Sequence, residues 1–447
     1  MAELELYEHQ LRPIEFLKTH DGLILYHSTG SGKTLTALYA AYQFPFDIII
    51  IGTKSARKTF TDNISKAGLN PARFAFYTFT KVKKTLETSI TFFKGSSVIV
   101  DEAHNIRSEN MYNMYIAAAL NLASKVILLT ATPVINYLND LSVLVNIIRK
   151  SDVLPTERKL FEQMFYDPDK GVLVNTPILF TKLLNTISYY RATSDSNYPT
   201  STTHYIDVTM NHAQLDEYTY YLRKVIYASQ NIVSTLDMLN INYSLLPHKK
   251  LNTFLNVTRQ ISNTVNNSTD APKIQEIHEY IKAGPYPIVV YSNFLKNGIY
   301  TLAILLETSN ISYKTITGFT TDDKLNVTVN NYNKGLYKVL LISSAGSESL
   351  DLKNTRQIHI MEPHWNESRI DQVIGRTIRF GSHQALPPDQ RHVNIYRWIT
   401  VFPRHIRNAS ADQFLKDLSE KKRRLWNQFQ DLVIDASIER NYGLTAA

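Results

Sequence analysis

From Leu6 to about Asn146 the chain alternates between short apolar runs and amphipathic stretches; Leu23–Tyr26, Asp47–Ile51, Val98–Val100 and Val126–Leu129 are the runs. Three or four apolar residues in a row suit a strand buried on both faces, and the stretches between are long enough for crossover helices. The pattern predicts a parallel sheet wrapped by helices. From about Arg149 to Asp270 the period lengthens, with Leu160, Phe161, Met164 and Phe165, then Leu215, Tyr218 and Leu222, at three- and four-residue spacing. This stretch reads as a mainly helical insertion.

Alternation then resumes, with Ile288–Tyr291, Val339–Ile342, Ile358–Met361 and Val393–Tyr396 as strands of a second sheet domain. Past it, Ser410 stands three residues before Gln413, a capping-box pattern. Phe414, Leu418, Leu425, Phe429 and Leu432 follow near one helix face, which predicts a docked tail helix. The expected fold class is α/β, two parallel-sheet lobes with a helical insertion and a C-terminal helical tail. The expected boundaries are 1–148, 149–270, 271–403 and 404–447.

The first apolar run leads into His27-Ser28-Thr29-Gly30-Ser31-Gly32-Lys33-Thr34, at the carboxyl end of one strand and the start of a helix. Glycines let backbone N–H groups converge on phosphate oxygens, a lysine reaches the β- and γ-phosphates, and a threonine hydroxyl binds magnesium. Ser28, Thr29, Gly30, Ser31, Gly32, Lys33 and Thr34 are therefore the candidate nucleotide residues, with ATP and Mg²⁺ expected. Asp101-Glu102-Ala103-His104 follows another buried run. There Asp101 suits the metal beside Thr34, and Glu102 suits positioning and deprotonating the attacking water.

Composition narrows the class. The 447 residues are 44% hydrophobic and 20% charged, ordinary globular material sufficient for several cores. Without cysteine, disulfides and thiolate metal sites are excluded, which fits a reducing compartment. No stretch approaches a membrane span, and the acidic start Met1–Glu5 is unlike a basic signal region. A net charge of +8 and a pI near 9.2 favour a polyanionic partner. The strongest basic run, Lys421–Arg424, reads first as the solvated face of a helix, and the 27 tyrosines read as packing.

A phosphate loop alone covers many enzymes, but later segments narrow the choice. Thr130-Ala131-Thr132-Pro133 closes the fourth run, and Gln372-Val373-Ile374-Gly375-Arg376-Thr377-Ile378-Arg379 places two arginines three apart, expected on a helix. The ordered set resembles superfamily 2 helicases and translocases. Leu6–Gln10, Ile187–Arg191, Val290–Phe294, Glu362–Asn366 and Arg379–Pro387 resemble the Swi/Snf-like branch, and within it poxvirus-type nucleoside triphosphate phosphohydrolase I and early transcription factor ATPase subunits. That resemblance implies two RecA-like lobes sandwiching ATP, with Gln10 reading adenine and Arg376 and Arg379 as arginine fingers from the second lobe. It further implies that His104, Thr130, Thr132, Gln372 and Glu348 couple nucleotide to nucleic acid. Thr53, Lys54, Thr78, Ser292, Asn293, Ser343 and Ser344 match the strand-contact segments. Two positions depart from the pattern: His27 stands where Gly or Ala is usual, and Ser349 where Gly is usual.

Blander roles fit the same residues. His104 can merely bridge strands, Gln10 can be an amide at a helix start, Trp365 can be core, and the Ser and Thr residues can simply cap loops. As to function, the leading expectation is a DNA-dependent ATPase translocating on duplex DNA beside a viral RNA polymerase or transcription factor, in host cytoplasm or virion. A strand-separating DNA or RNA helicase and an ATP-binding scaffold subunit are the alternatives.

Overall fold

The computed structural model describes residues 6–28, 30–106, 111–131, 137–168, 170–191, 198–225, 239, 243, 248–344, 350–365 and 367–442. The chain forms two units, Met1–Ser194 with Lys421–Ala447, and Asp195–Glu420. The segment 149–270 thus contributes residues to both.

In the first unit the strands are β1 (Gly22–His27), β2 (Ile48–Gly52), β3 (Phe74–Thr78), β4 (Ser97–Val100), β5 (Lys125–Thr130) and, after a short hairpin of β6 (Tyr166–Asp167) and β7 (Val172–Leu173), β8 (Ile187–Tyr190). Their order is β3-β2-β4-β5-β1-β8, every pairing parallel. Period-two alternation sorts side chains into two cores. Ile24, Ile49, Val98, Val100, Val126 and Leu128 face one core, while Leu23, Leu25, Ile48, Ile50, Ile99 and Ile127 face the other. Each such side chain stabilises the fold by roughly 1.5–3 kcal/mol. Phe429, Val433 and Ala436 join the first core, and Ile438 joins the second.

The second unit repeats the plan with β9 (Thr200–Thr209), β10 (Ile288–Ser292), β11 (Tyr313–Ile316), β12 (Val339–Ser343), β13 (Gln357–Ile360) and β14 (His392–Val401), ordered β11-β12-β10-β13-β14-β9 and again wholly parallel. Ile288, Val290, Val339 and Leu341 bury on one face with Trp398, and Val289, Leu340 and Ile342 on the other. The two units are RecA-like lobes.

The stretch expected to be mainly helical carries helices at Arg158–Phe165, Thr176–Leu183, His212–Val225 and His248–Asn263. It also carries β8 and β9, each completing the edge of a sheet, which corrects the sequence reading. Thr200-Ser201-Thr202-Thr203-His204 is polar because an edge strand needs a ladder on one side only. The tail helix Ala411–Asp435 begins as expected: Ser410 N–H donates to Gln413 Oε1 at 2.9 Å, and Gln413 N–H donates to Ser410 Oγ at 3.2 Å.

Candidate functional site

β1 ends at His27, and a tight turn delivers Lys33 as the first residue of helix α2 (Lys33–Tyr42). Gly30 and Gly32 have φ of 82° and 81°, left-handed values that other residues adopt at a cost. At Gly32 space adds a second reason, because a Cβ there would collide with the Gln10 amide. The Lys33 ammonium donates to the carbonyl oxygens of His27 at 2.6 Å and Ser28 at 2.9 Å. Ser28 Oγ and Ser31 Oγ are buried without a hydrogen-bond partner. Unpaired hydroxyls in a glycine turn at a helix N-terminus fit an oxyanion such as a phosphate.

Asp101 follows β4, its backbone N–H donating to Ile51 O at 2.8 Å. Burial pushes its carboxyl up to about 6, Glu102 adds to the rise, and Lys33 opposes it. Two neighbouring carboxylates with one desolvated are best relieved by a cation, so Asp101 with the Thr34 hydroxyl fits a divalent ion. Glu102 is itself left-handed, φ 49° and ψ 51°, a backbone state uncommon for a residue with a Cβ. Its carboxylate lies 3.3 Å from His104 Nδ1, which is also 3.3 Å from Thr130 Oγ1 at the end of β5. His104 therefore links the acidic pair to the neighbouring strand.

Gln10 lies on helix α1 (Glu8–Phe16) and is buried. Its Oε1 accepts from Tyr7 N–H at 2.9 Å, and its Nε2 is 3.5 Å from Gly32 O. The amide caps its helix and abuts the phosphate loop, which argues against an exposed amide at a helix start. Next to it, His9 Nε2 donates to Ser31 O at 2.9 Å, and its ring stacks 3.6 Å from Tyr190. The sequence shows His9 only as a neighbour of Gln10; nothing in its spacing signals this contact.

In the second unit Gln372 is exposed on the helix Glu367–Ile374. Arg376 and Arg379 lie beyond that helix, not on it, because the chain turns at Gly375–Thr377. The Arg379 guanidinium donates through Nε to Gly375 O at 2.8 Å, with Nη1 3.7 Å from Asp351. Burial and the neighbouring Arg376 push its pKa down.

Thr53 and Lys54 are exposed just after β2. Thr78 caps the helix Phe79–Thr88, its Oγ1 accepting from Lys81 N–H at 3.3 Å. Ser292, by contrast, is buried, and its hydroxyl is 3.0 Å from Glu362 Oε2, so the side chain faces the fold. Asn293 donates to Glu362 Oε1 from its backbone at 2.5 Å and from Nδ2 at 3.0 Å. Ser343 is buried and Ser344 half-buried. Trp365 is exposed, with the guanidinium of the buried Arg259 4.8 Å from its ring. Lys421–Arg424 is exposed on the tail helix. Thr29, Thr132 and Glu348 lie outside the described residues.

Residues 47–269 match the SNF2-related domain, and residues 272–381 match the helicase conserved C-terminal domain. The chain belongs to the SNF2-related family of helicase-type ATPases. A protein of Acanthamoeba polyphaga mimivirus, provisionally named an ATP-dependent RNA helicase, is 63% identical over 442 residues, covering 99% of both chains. An African swine fever virus protein named "Termination factor NPH-I homolog" is 24% identical across 94% of this chain and 76% of its own. The "Nucleoside triphosphatase I" of Choristoneura biennis entomopoxvirus is 26% identical across 95% of this chain and 77% of its own. Membership of that family implies nucleotide use and nucleic-acid binding. Among the described residues no helix is long and apolar enough to cross a membrane.

Proposed function

We propose that this chain is a DNA-dependent ATPase that translocates on duplex DNA and serves transcription by a viral RNA polymerase. The observation that carries the ATPase chemistry is the convergence of Lys33 and Asp101 at the phosphate loop, with Glu102 tied through His104 to Thr130. Phosphates would rest on Gly30–Thr34, and Thr34 with Asp101 would hold Mg²⁺. When bound, the ion neutralises charge on the β- and γ-phosphate oxygens. Glu102 takes the proton of the attacking water, and Lys33 withdraws charge from the transferred phosphoryl. Arg376 and Arg379 are the candidates for the added cation that the transition state calls for. His104 senses the state of Glu102 and passes it to the end of β5.

Duplex DNA is favoured by the SNF2-related match, and a transcriptional role by the name of the swine fever virus relative. An RNA helicase is the second reading, favoured by the name of the mimivirus relative. ATP turnover with no polymer, duplex DNA, single-stranded DNA and RNA separates them, with Glu102→Gln as the blank. Stimulation by duplex DNA without strand release supports the translocase; stimulation by RNA with unwinding supports the helicase and overturns it.

A further inference from the structure

The residue at the phosphate-loop entrance where Gly or Ala is usual, His27, is fully buried and not idle. Its Nε2 lies 2.8 Å from Ser188 Oγ on β8, and Ser188 Oγ lies 2.5 Å from Glu439 Oε1 in the helical turn Ile438–Tyr442. The other carboxylate oxygen, Oε2, accepts from Tyr189 N–H at 2.8 Å. Donor direction follows from the ends. A carboxylate only accepts, so Ser188 donates to it and must accept from His27, fixing the imidazole as the Nε2–H tautomer. His27 Nδ1, correspondingly, is buried without a partner. Burial, then Lys33 and His9, hold the ring neutral.

The same strand grips the loop at two more points. Ser28 N–H donates to Tyr190 O at 2.9 Å, and Tyr190 carries the stacked ring of His9, which donates to Ser31 O. β8 is therefore a platform, anchored by Glu439, that touches the loop directly at its entrance and through His9 at Ser31. His27 also supplies the shorter of the two carbonyl contacts to the Lys33 ammonium.

We propose that Glu439 is a positioning residue for ATP binding: through Ser188 it orients His27, and through His27 it sets where the Lys33 ammonium lies. The C-terminal turn is then part of the nucleotide site, although it is remote from it in sequence. This inference rests on the reading of Gly30–Thr34 as the phosphate cradle.

The test is a double-mutant cycle on the full chain, with KM for ATP and kcat as readouts. Glu439→Gln places an amide donor against a serine or backbone donor, and should raise KM about five- to tenfold with kcat little changed, as loss of uniform binding does. In a His27→Ala background the same substitution should change KM less than twofold, because the link it acts through is gone. Equal effects in both backgrounds, or a fall in kcat alone, overturn the proposal. If Glu439→Gln fails to fold, Ser188→Ala breaks the same link and is read in the same two backgrounds, additivity again overturning it. Lys33→Ala is the separate control: full turnover in that variant would sink the phosphate-cradle reading itself, whatever the cycle gives.

Discussion

The ammonium of Lys273 lies 2.9 Å from Asp412 Oδ2, and the two side chains are 1% and 0% exposed. Lys273 also donates to Asn263 Oδ1 at 3.1 Å, and Asp412 Oδ2 accepts from Thr400 N–H at 3.0 Å, so one buried pair ties three helices, His248–Asn263, Pro272–Ala283 and Ala411–Asp435, to β14. Removing one partner strands a charge in the core. Asp412→Ala should lower the stability of the second unit by about 3–5 kcal/mol. Replacing both, Lys273→Met with Asp412→Leu, should cost clearly less than the two single changes added. Urea unfolding of the wild type, Asp412→Ala, the two single changes and their combination checks this, and additive losses would refute it.

Glu362 gathers donors from Ser292, Asn293 and Asn263 in a fully buried site. Glu362→Ala leaves those donors unmet and should cost about 3 kcal/mol. The segment after β10 should loosen with it, seen as faster amide exchange at Asn293 and Phe294. Unchanged exchange there would show that another group orders the segment.

For the proposed chemistry, Glu102→Gln should lower ATP turnover by about 10²- to 10⁴-fold while nucleotide still binds. Arg376→Ala should cost about 10³-fold or more in kcat. A fluorescent nucleotide reports binding and phosphate release reports turnover; a Glu102→Gln enzyme with normal kcat would remove Glu102 from the mechanism.

Burial holds the His359 imidazole down to about 3 from its ordinary 6.5, its Nδ1 accepting from Trp398 Nε1–H at 3.2 Å. The folded state thus binds fewer protons than the unfolded state between these values. The stability it contributes is complete above 6.5 and is lost as pH falls toward 3, by about 1.4 kcal/mol per unit. His359→Gln keeps an acceptor near Trp398 but does not titrate. It should shrink the stability difference between about pH 7 and pH 5 by about 2 kcal/mol. Parallel pH profiles of the urea midpoint for the two proteins would contradict this.

The strands legible in the sequence were those buried on both faces, where continuous apolar runs are unavoidable; Ile48–Ile51 is the clearest. β3, β8, β9 and β11 are not legible in it, for a shared reason. Each is an edge strand with a partly solvated face, and its sequence is mixed or polar. The phosphate loop and the acidic motif were legible because phosphate and metal chemistry restrict residue type and spacing together. Glu439 was not, since a lone glutamate in a tail carries no spacing signal; only folding brings it to Ser188. Ser292 illustrates the opposite case. Its motif position pointed to a nucleic-acid strand, whereas its hydroxyl answers a buried carboxylate that no local pattern announces.

The first lobe is discontinuous along the chain, borrowing Lys421–Ala447 after the whole of the second lobe has been made. During synthesis the sheet of β1 to β8 can therefore pair early, yet Phe429, Val433 and Ile438 reach its two cores only at the end. On the ribosome the second lobe can finish folding before the first, although domains generally complete in N-to-C order. A nascent chain stalled before residue 421 would carry a phosphate loop on an unfinished lobe, one that exposes apolar surface to chaperones and has no anchor beneath β8.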